Sequence, residues 1–165
     1  MRFTLVVSVL SLGLAFGTPA HAQLPKEGTY AITDTYSGTF KSVAMGEERS
    51  HLTYELLGVS LSDGADGPLH ASSVRCLGAT HAIKGAYDDS GFCVYIRPDG
   101  DRAFGTYRGA GKFGAGSTGT FTFVGGTGKL AGITGGGEYT AASLRSTSAE
   151  NFHGYLKAKG NYKLP

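Results

Sequence analysis

Apolar and polar side chains alternate through much of the chain, most clearly near the C-terminus. From 151 to 164, every second position is apolar or small, and most positions between them are polar or charged. The first set comprises Phe152, Gly154, Leu156, Ala158, Gly160, Tyr162 and Leu164. A period of two is typical of a β-strand with one buried face and one solvated face. The pattern therefore predicts a strand over this segment.

Seven similar runs precede it, at 29–44, 50–61, 69–77, 91–97, 102–109, 118–124 and 136–145. Clusters of Gly, Asp, Asn, Ser or Pro, which favour chain reversal, bound each run. One of them, at 98–101, predicts a tight hairpin connection in which Gly100 takes a positive φ. Such short connections favour antiparallel pairing in sequence order, because parallel pairing needs crossover helices. The sequence predicts an all-β domain of eight antiparallel strands, as a closed barrel or a two-sheet sandwich.

Glycine is unusually common, with 27 residues in the chain and 13 of the 33 positions from 105 to 137. Core-forming side chains such as Phe121, Leu130 and Tyr139 interrupt this stretch, which argues against a flexible low-complexity segment. Glycine within strands marks bends and close backbone approaches, and small barrels need both. Closure into a barrel also removes exposed strand edges. We therefore predict a single closed eight-stranded barrel.

The first 22 residues have the three regions of a secretory signal peptide. Arg2 is the positive residue, 5–16 is an apolar run of 12 residues, and Ala20-His21-Ala22 is a small-x-small cleavage site. The alternative is a membrane anchor, but a spanning helix needs about 20 apolar residues. We expect cleavage after residue 22, a single domain at 23–165, and export to the periplasm or the medium.

The small net charge argues against partners that bind mainly through bulk electrostatics. The net charge is +2, and it falls to +1 once Arg2 is removed with the leader. A value this small argues against nucleic acid or a membrane surface bound through bulk electrostatics. No later segment is long and apolar enough to predict a membrane span.

Cys76 and Cys93 are the two cysteines of the chain. An even count in an exported protein favours a disulfide. Their separation lets the chain reverse once and bring the flanking segments together. Two free core thiols, or a metal or redox pair, are the alternatives. A zinc site would need more ligands at tighter spacing, and there is no Cys-x-x-Cys motif.

The segment 121–139 carries the most specific motif. It contains Gly-Gly-Thr-Gly-Lys at 125–129 and Ala-Gly at 131–132, and its key positions are Gly125, Gly126, Gly128, Lys129 and Gly132. It lacks the Gly-x-x-x-x-Gly-Lys-Ser/Thr spacing of a phosphate loop, because Leu130 follows Lys129. The segment resembles the allene oxide cyclase-like barrel superfamily, which includes the plant allene oxide cyclases and the dirigent proteins. It also resembles small exported bacterial proteins of no assigned activity, which share the motif, the two-cysteine segment and an Asp-Gly-Asp turn.

This resemblance implies an eight-stranded barrel in which the motif forms a strand, a short turn packed against the barrel and the next strand. Enzymes of the superfamily act inside the barrel on hydrophobic substrates, and its members tend to be oligomeric. The resemblance therefore implies a homo-oligomer and allows a cyclase or isomerase. None of the superfamily's catalytic residues can be aligned outside the glycine motif, so none is assigned here.

Candidate chemistry rests on position alone. Glu55 and Glu138 lie within predicted strands, and a carboxylate that faced the interior would have a raised pKa and could act as an acid or base. We favour the alternative that both face water, because unpaired acidic residues are seldom buried. The four His residues after the leader show no ligand spacing, and we predict no metal and no cofactor.

Tyrosines are spread over most of the predicted strands. Tyr30, Tyr54, Tyr107 and Tyr139 are candidates to line a pocket, since a tyrosine offers an apolar ring and a hydroxyl. The same rings could instead fill the barrel. Three functions remain open: binding of a small apolar or amphipathic molecule inside the barrel, a cofactor-independent cyclase or isomerase, and a structural or interaction protein with a filled barrel.

Overall fold

Eight antiparallel strands form a closed barrel in the computed structural model, which describes residues 24–64, 66–148 and 151–165. Each strand pairs with the next along the chain, and the last returns to the first. The strands are β1 (Glu27–Ala44), β2 (Arg49–Ser62), β3 (Ser72–Ile83), β4 (Ala86–Ile96), β5 (Arg102–Lys112), β6 (Gly116–Gly126), β7 (Thr134–Leu144) and β8 (Asn151–Lys163). The predicted all-β barrel is confirmed. The predicted signal peptide lies outside the described residues, among which no helix is long and apolar enough to cross a membrane.

Two strands extend five or six residues further than the sequence pattern predicted. The runs at 69–77 and 91–97 correspond to β3 and β4, which continue to a tight turn at Lys84 and Gly85. The intervening segment contains several Gly, Asp, Ser and Thr residues, which ordinarily indicate a turn. Conversely, Leu69 belongs to the connection before β3 and is fully buried at the end of the barrel.

Cys76 and Cys93 form a disulfide between β3 and β4, as predicted. The two residues are register partners in this hairpin, with their Cα atoms 4.1 Å apart. Both are buried on the inner face of the barrel. The single chain reversal expected between them is the β3–β4 turn.

The two ends of the barrel differ. At the end where β1 begins, the connections 63–71, 97–101 and 127–133 fold inward, and Leu69, Leu130 and Ile133 are fully buried there. At the other end, the connections 45–48, 84–85 and 113–115 are short hairpin turns, and the fourth connection, 145–150, includes two residues outside the described ranges. We refer to these as the closed end and the open end.

The glycine motif and the Asp-Gly-Asp turn form one unit at the closed end. The backbone N–H of Lys129 donates to Asp101 Oδ2 at 2.8 Å, and Lys129 Nζ lies 2.9 Å from Asp99 Oδ2. Gly128 has a φ of +55° and no space for a β-carbon, because the Asp101 carboxylate occupies it. The Asp99 carboxylate also pairs with Arg97, whose guanidinium donates to the carbonyl of Gly67 in the connection 63–71.

Aromatic rings on the inner face pack against glycines of the adjacent strand or of the next strand but one. In each case a β-carbon on the glycine would collide with ring or hydroxyl atoms. The pairs are Tyr36 with Gly154, Tyr107 with Gly78 and Gly91, Phe121 with Gly105, Tyr139 with Gly109 and Gly119, and Phe152 with Gly38. An eight-stranded barrel has an interior only wide enough for side chains or one small ligand. The glycines therefore provide the space that the large rings occupy.

The outer face of β2, β3 and β4 exposes several large apolar side chains: Leu57, Val59, Leu61, Leu77, Phe92 and Ile96. They point away from the interior because they alternate with the inward positions of these strands. A clustered apolar surface of this kind is typical of protein contacts. The expected homo-oligomer stays a prediction.

Removal of the disulfide should destabilise the barrel without changing its fold. Replacing both Cys76 and Cys93, which are 17 positions apart, with Ala should lower the free energy of unfolding by about 3 kcal/mol, because the unfolded chain regains the freedom that the crosslink removes. Urea unfolding followed by circular dichroism measures this loss. Reduction of the unaltered protein should give a similar loss, and an unchanged unfolding midpoint in both cases would contradict the prediction.

The contact between rings and glycines can be tested at Gly91. A β-carbon there would contact the Leu77 carbonyl oxygen and lie 2.6 Å from Tyr107 Cζ. Gly91→Ala should lower the free energy of unfolding by roughly 1–3 kcal/mol through overpacking. Gly64→Ala is the matched control, since the nearest atom to its β-carbon would be Asp66 Oδ1 at 3.3 Å. Equal urea midpoints for the two variants would show that the packing is not restrictive.

Candidate ligand-binding cavity

The barrel interior contains a cavity of about 320 Å³. Ile32 and Leu69 line it at the closed end and are buried, whereas Phe40 and Phe113 line it at the open end and are 41% and 56% exposed. Within the described residues, the cavity is therefore covered at the closed end and reachable from the open end. Its volume lies within the range of small-molecule pockets, about 300–1,000 Å³.

Eleven aromatic rings surround this cavity, contributed by β1, β2, β4–β8 and the turn after β5. They are Tyr30, Tyr36, Phe40, Tyr54, Tyr87, Tyr95, Tyr107, Phe113, Phe121, Tyr139 and Phe152. Several meet edge to face, for example Tyr54 with Phe152 at a centroid distance of 5.9 Å. Such pairs stabilise one another and hold the rings in place. The walls are consequently apolar but carry phenolic hydroxyls at several heights.

Asp34 is the more deeply buried of two carboxyl groups in the cavity and is 2% exposed. The alternation of β1 turns it inward, between Ile32 and Tyr36. Tyr95 Oη donates a hydrogen bond to Asp34 Oδ2 at 2.9 Å, while Asp34 Oδ1 has no partner. Burial raises the pKa of Asp34 to about 6, and the hydroxyls of Ser60 and Tyr95 limit the rise. The Ser60 hydroxyl lies beside the carboxylate without a well-formed hydrogen bond.

Asp89 on β4 forms the second polar cluster. Tyr54 Oη donates to Asp89 Oδ2 at 3.2 Å, and the hydroxyl oxygens of Tyr54 and Tyr107 are 2.5 Å apart. Asp89 Oδ1 is buried without a partner. Burial raises the pKa of Asp89, and the hydrogen bond from Tyr54 opposes the rise. Burial also holds the pKa of Tyr54 and Tyr107 above the ordinary range, so both hydroxyls stay protonated at neutral pH.

The four tyrosines named from the sequence all line the cavity, whereas the two glutamates do not. Glu55 lies on the outer face, 39% exposed, with its Oε1 2.6 Å from Arg75 Nε. Glu138 is exposed between two inward positions of β7. Catalysis by either glutamate would therefore take place outside the barrel. A ligand-binding role for the tyrosines stays a prediction.

Sequence reasoning missed Asp34 and Asp89. Asp34 lies in the predicted run 29–44 and shares its strand parity with Tyr30, Ile32 and Tyr36, so the alternation carried a signal for it. Asp89 lies before the predicted run 91–97, in a segment whose composition indicated a turn, so the pattern assigned it to no face.

Comparison with known proteins adds no assignment. No protein-family model matches the chain, and no curated protein matches it. The interpretation of the cavity therefore depends on its own residues: apolar walls, phenolic hydroxyls and two carboxyl groups with unpaired oxygens.

The raised pKa of Asp34 predicts how the stability of the protein depends on pH. The pKa is about 6 in the folded protein and 3.8 ordinarily, so the folded form holds its proton more tightly and stability falls as pH rises through this window. At pH values above this window, the difference between the two pKa values lowers the free energy of unfolding by roughly 3 kcal/mol. Asp34→Asn should therefore unfold at higher urea concentration than the unaltered protein at about pH 7.5. This gain should vanish as pH falls below the ordinary pKa of 3.8.

The control for this measurement is Asp99→Asn. Hydrogen bonding from Lys129 lowers the pKa of the exposed Asp99, so neutralising it should give no gain at neutral pH. An Asp34→Asn variant that is no more stable at neutral pH, or whose gain is the same at every pH, would contradict the assignment of a buried, costly carboxylate.

Proposed function

We propose that this chain is an exported small β-barrel protein that binds one small apolar or amphipathic molecule inside the barrel. The observation that carries the proposal is the cavity of about 320 Å³, closed at one end and lined by aromatic rings. Pockets for small molecules are mostly apolar, with a few polar groups that orient the ligand. The two carboxyl groups and the tyrosine hydroxyls supply such groups here.

Two features support export. The sequence of residues 1–22 has the regions of a signal peptide. The disulfide between Cys76 and Cys93 fits an oxidising compartment, because cytosolic thiols are kept reduced. We propose that the domain from residue 23 onward acts in the periplasm or the medium.

A relationship to the allene oxide cyclase-like barrels is part of the proposal. It is supported by the closed eight-stranded antiparallel barrel and by the glycine motif at 125–132. The contact of Lys129 with Asp99 and of its backbone with Asp101 gives a physical reason for the motif and the Asp-Gly-Asp turn to occur together.

A cofactor-independent cyclase or isomerase is the second candidate. One observation favours it: the Asp34 carboxyl lies in the cavity beside the Tyr95 hydroxyl, with a pKa of about 6. A group with such a pKa can accept and release protons near neutral pH. In this candidate Asp34 takes the role that the sequence suggested for Glu55 or Glu138.

Ligand binding can be tested with N-phenyl-1-naphthylamine, a small dye that is neutral at pH 7 and fluoresces in apolar surroundings. We expect saturable binding of one dye per barrel. Ala141→Phe should weaken this binding at least about tenfold, because Ala141 lines the cavity and the added ring occupies it. Ala110→Phe is the matched control, since Ala110 is exposed on the outer face of β5.

Absence of saturable binding, or equal affinities for Ala141→Phe and the unaltered protein, would overturn the proposal. Circular dichroism and urea unfolding of both variants establish that any loss of binding does not come from unfolding.

A further inference from the structure

We propose that the ligand of this cavity is an organic ammonium, a small molecule in which an apolar body carries one protonated nitrogen with N–H groups. The inference rests on the proposed function, because it names the chemical class of molecule that the barrel binds. It follows from the charge of the walls, from two unpaired carboxylate oxygens and from the aromatic lining.

The ionisable groups of the cavity wall favour a cation. The lining residues, all within the described part of the chain, include Asp34 and Asp89 but no Lys, Arg or His. The tyrosines stay neutral, because burial raises their pKa. A carboxylate in surroundings of low polarity is costly unless it is paired with a positive charge. The described walls supply no positive charge, so a bound cation would pair with these carboxylates.

The hydrogen-bonding groups favour a nitrogen that carries hydrogens. Asp34 Oδ2 and Asp89 Oδ2 each accept a hydrogen bond from a tyrosine, whereas Oδ1 of each residue is buried and forms no well-formed hydrogen bond, although the Ser60 hydroxyl lies beside the Asp34 carboxylate. An unpaired buried acceptor costs about 1–3 kcal/mol. A protonated amine has donors for such an oxygen and forms charge-assisted bonds with it, which are stronger than neutral ones.

The aromatic lining suits the same ligand. The Asp34 carboxylate lies among Tyr30, Tyr36 and Tyr95, and Asp89 contacts Tyr54. The face of an aromatic ring attracts cations, and more strongly where water is excluded. Other rings, such as Phe121 and Phe152, offer contact to an apolar body.

Other ligand classes fit less well. An anionic amphiphile such as a fatty acid would meet two carboxyl groups and no basic residue in the cavity wall. A purely apolar molecule would leave both Oδ1 atoms unpaired. For a metal ion, no cluster of three His, Cys, Asp or Glu side chains occurs within the described ranges.

Binding of an ammonium at Asp34 should depend on pH. The groups that face this carboxyl are Tyr30 and Tyr36 from β1, Ser60 from β2 and Tyr95 from β4. All of them are uncharged at neutral pH, so Asp34 itself titrates, with a pKa of about 6. Affinity for an amine should fall as pH drops through this value, because the proton neutralises the carboxylate.

The test compares three probes that share a phenyl ring on a short chain: 2-phenylethylamine, 2-phenylethanol and 3-phenylpropanoate. Isothermal titration calorimetry at about pH 7.5 should show the amine binding at least about tenfold more tightly than the alcohol, and the carboxylate more weakly than either. At least one of the variants Asp34→Asn and Asp89→Asn should weaken binding of the amine at least about tenfold and change binding of the alcohol by no more than about twofold. Glu55→Gln is the control, a carboxylate removed from the outer face.

Each outcome separates this inference from the proposed function. If the neutral dye binds in the cavity but the alcohol or the carboxylate binds as tightly as the amine, the ammonium inference fails and the proposed function stands. The same holds if both Asp→Asn variants bind the amine as tightly as the unaltered protein. If neither the dye nor any of the three probes binds, both proposals fail.

Discussion

The structure depends on the packing of large inward rings against inward glycines. An eight-stranded barrel has a narrow interior, and a full set of large inward side chains would overfill it. Tyr107 fits because Gly91 on the adjacent strand and Gly78 on the strand beyond it have no β-carbon, and Tyr139 fits in the same way over Gly119 and Gly109. The rings line the wall rather than fill the centre, and a cavity remains between them.

The same arrangement accounts for the polar chemistry of the interior. Tyrosines placed against the wall extend their hydroxyls to Asp34 and Asp89, which keep one hydrogen-bonded oxygen and one unpaired oxygen each. Buried groups of this kind reduce stability, and proteins retain them chiefly where function requires them. The cavity therefore combines a frame of packed aromatic rings with two buried carboxylate oxygens that form no hydrogen bond.

The closed end gives this cavity its direction. Three long connections meet there, and Asp99 pairs with both Arg97 and Lys129, while Arg97 also binds the carbonyl of Gly67. These contacts hold the connections over the barrel, and Leu69, Leu130 and Ile133 seal the interior beneath them. The opposite end carries short turns at 45–48, 84–85 and 113–115, and the exposed rings of Phe40 and Phe113 line the cavity there.

The sequence by itself determined the strand class, the number and order of the strands, and the disulfide between Cys76 and Cys93. Alternation along a strand and short connections between strands are local properties, which can be recognised without a structure. The same alternation placed Tyr30, Tyr54, Tyr107 and Tyr139 on strands, but it did not establish that their rings would leave a cavity. That outcome depends on which glycine lies beside which ring across neighbouring strands, and only the register decides this.

Only the tertiary structure revealed the two interior carboxyl groups as a feature of one site. Asp34 and Asp89 are 55 positions apart, and each looks in isolation like an ordinary polar residue in a strand. Closure of the barrel turns both toward the same space, while it turns Glu55 outward to Arg75. The alternation of β1 shows which face Asp34 shares with its neighbours, but whether that face is buried around a cavity depends on the surrounding strands.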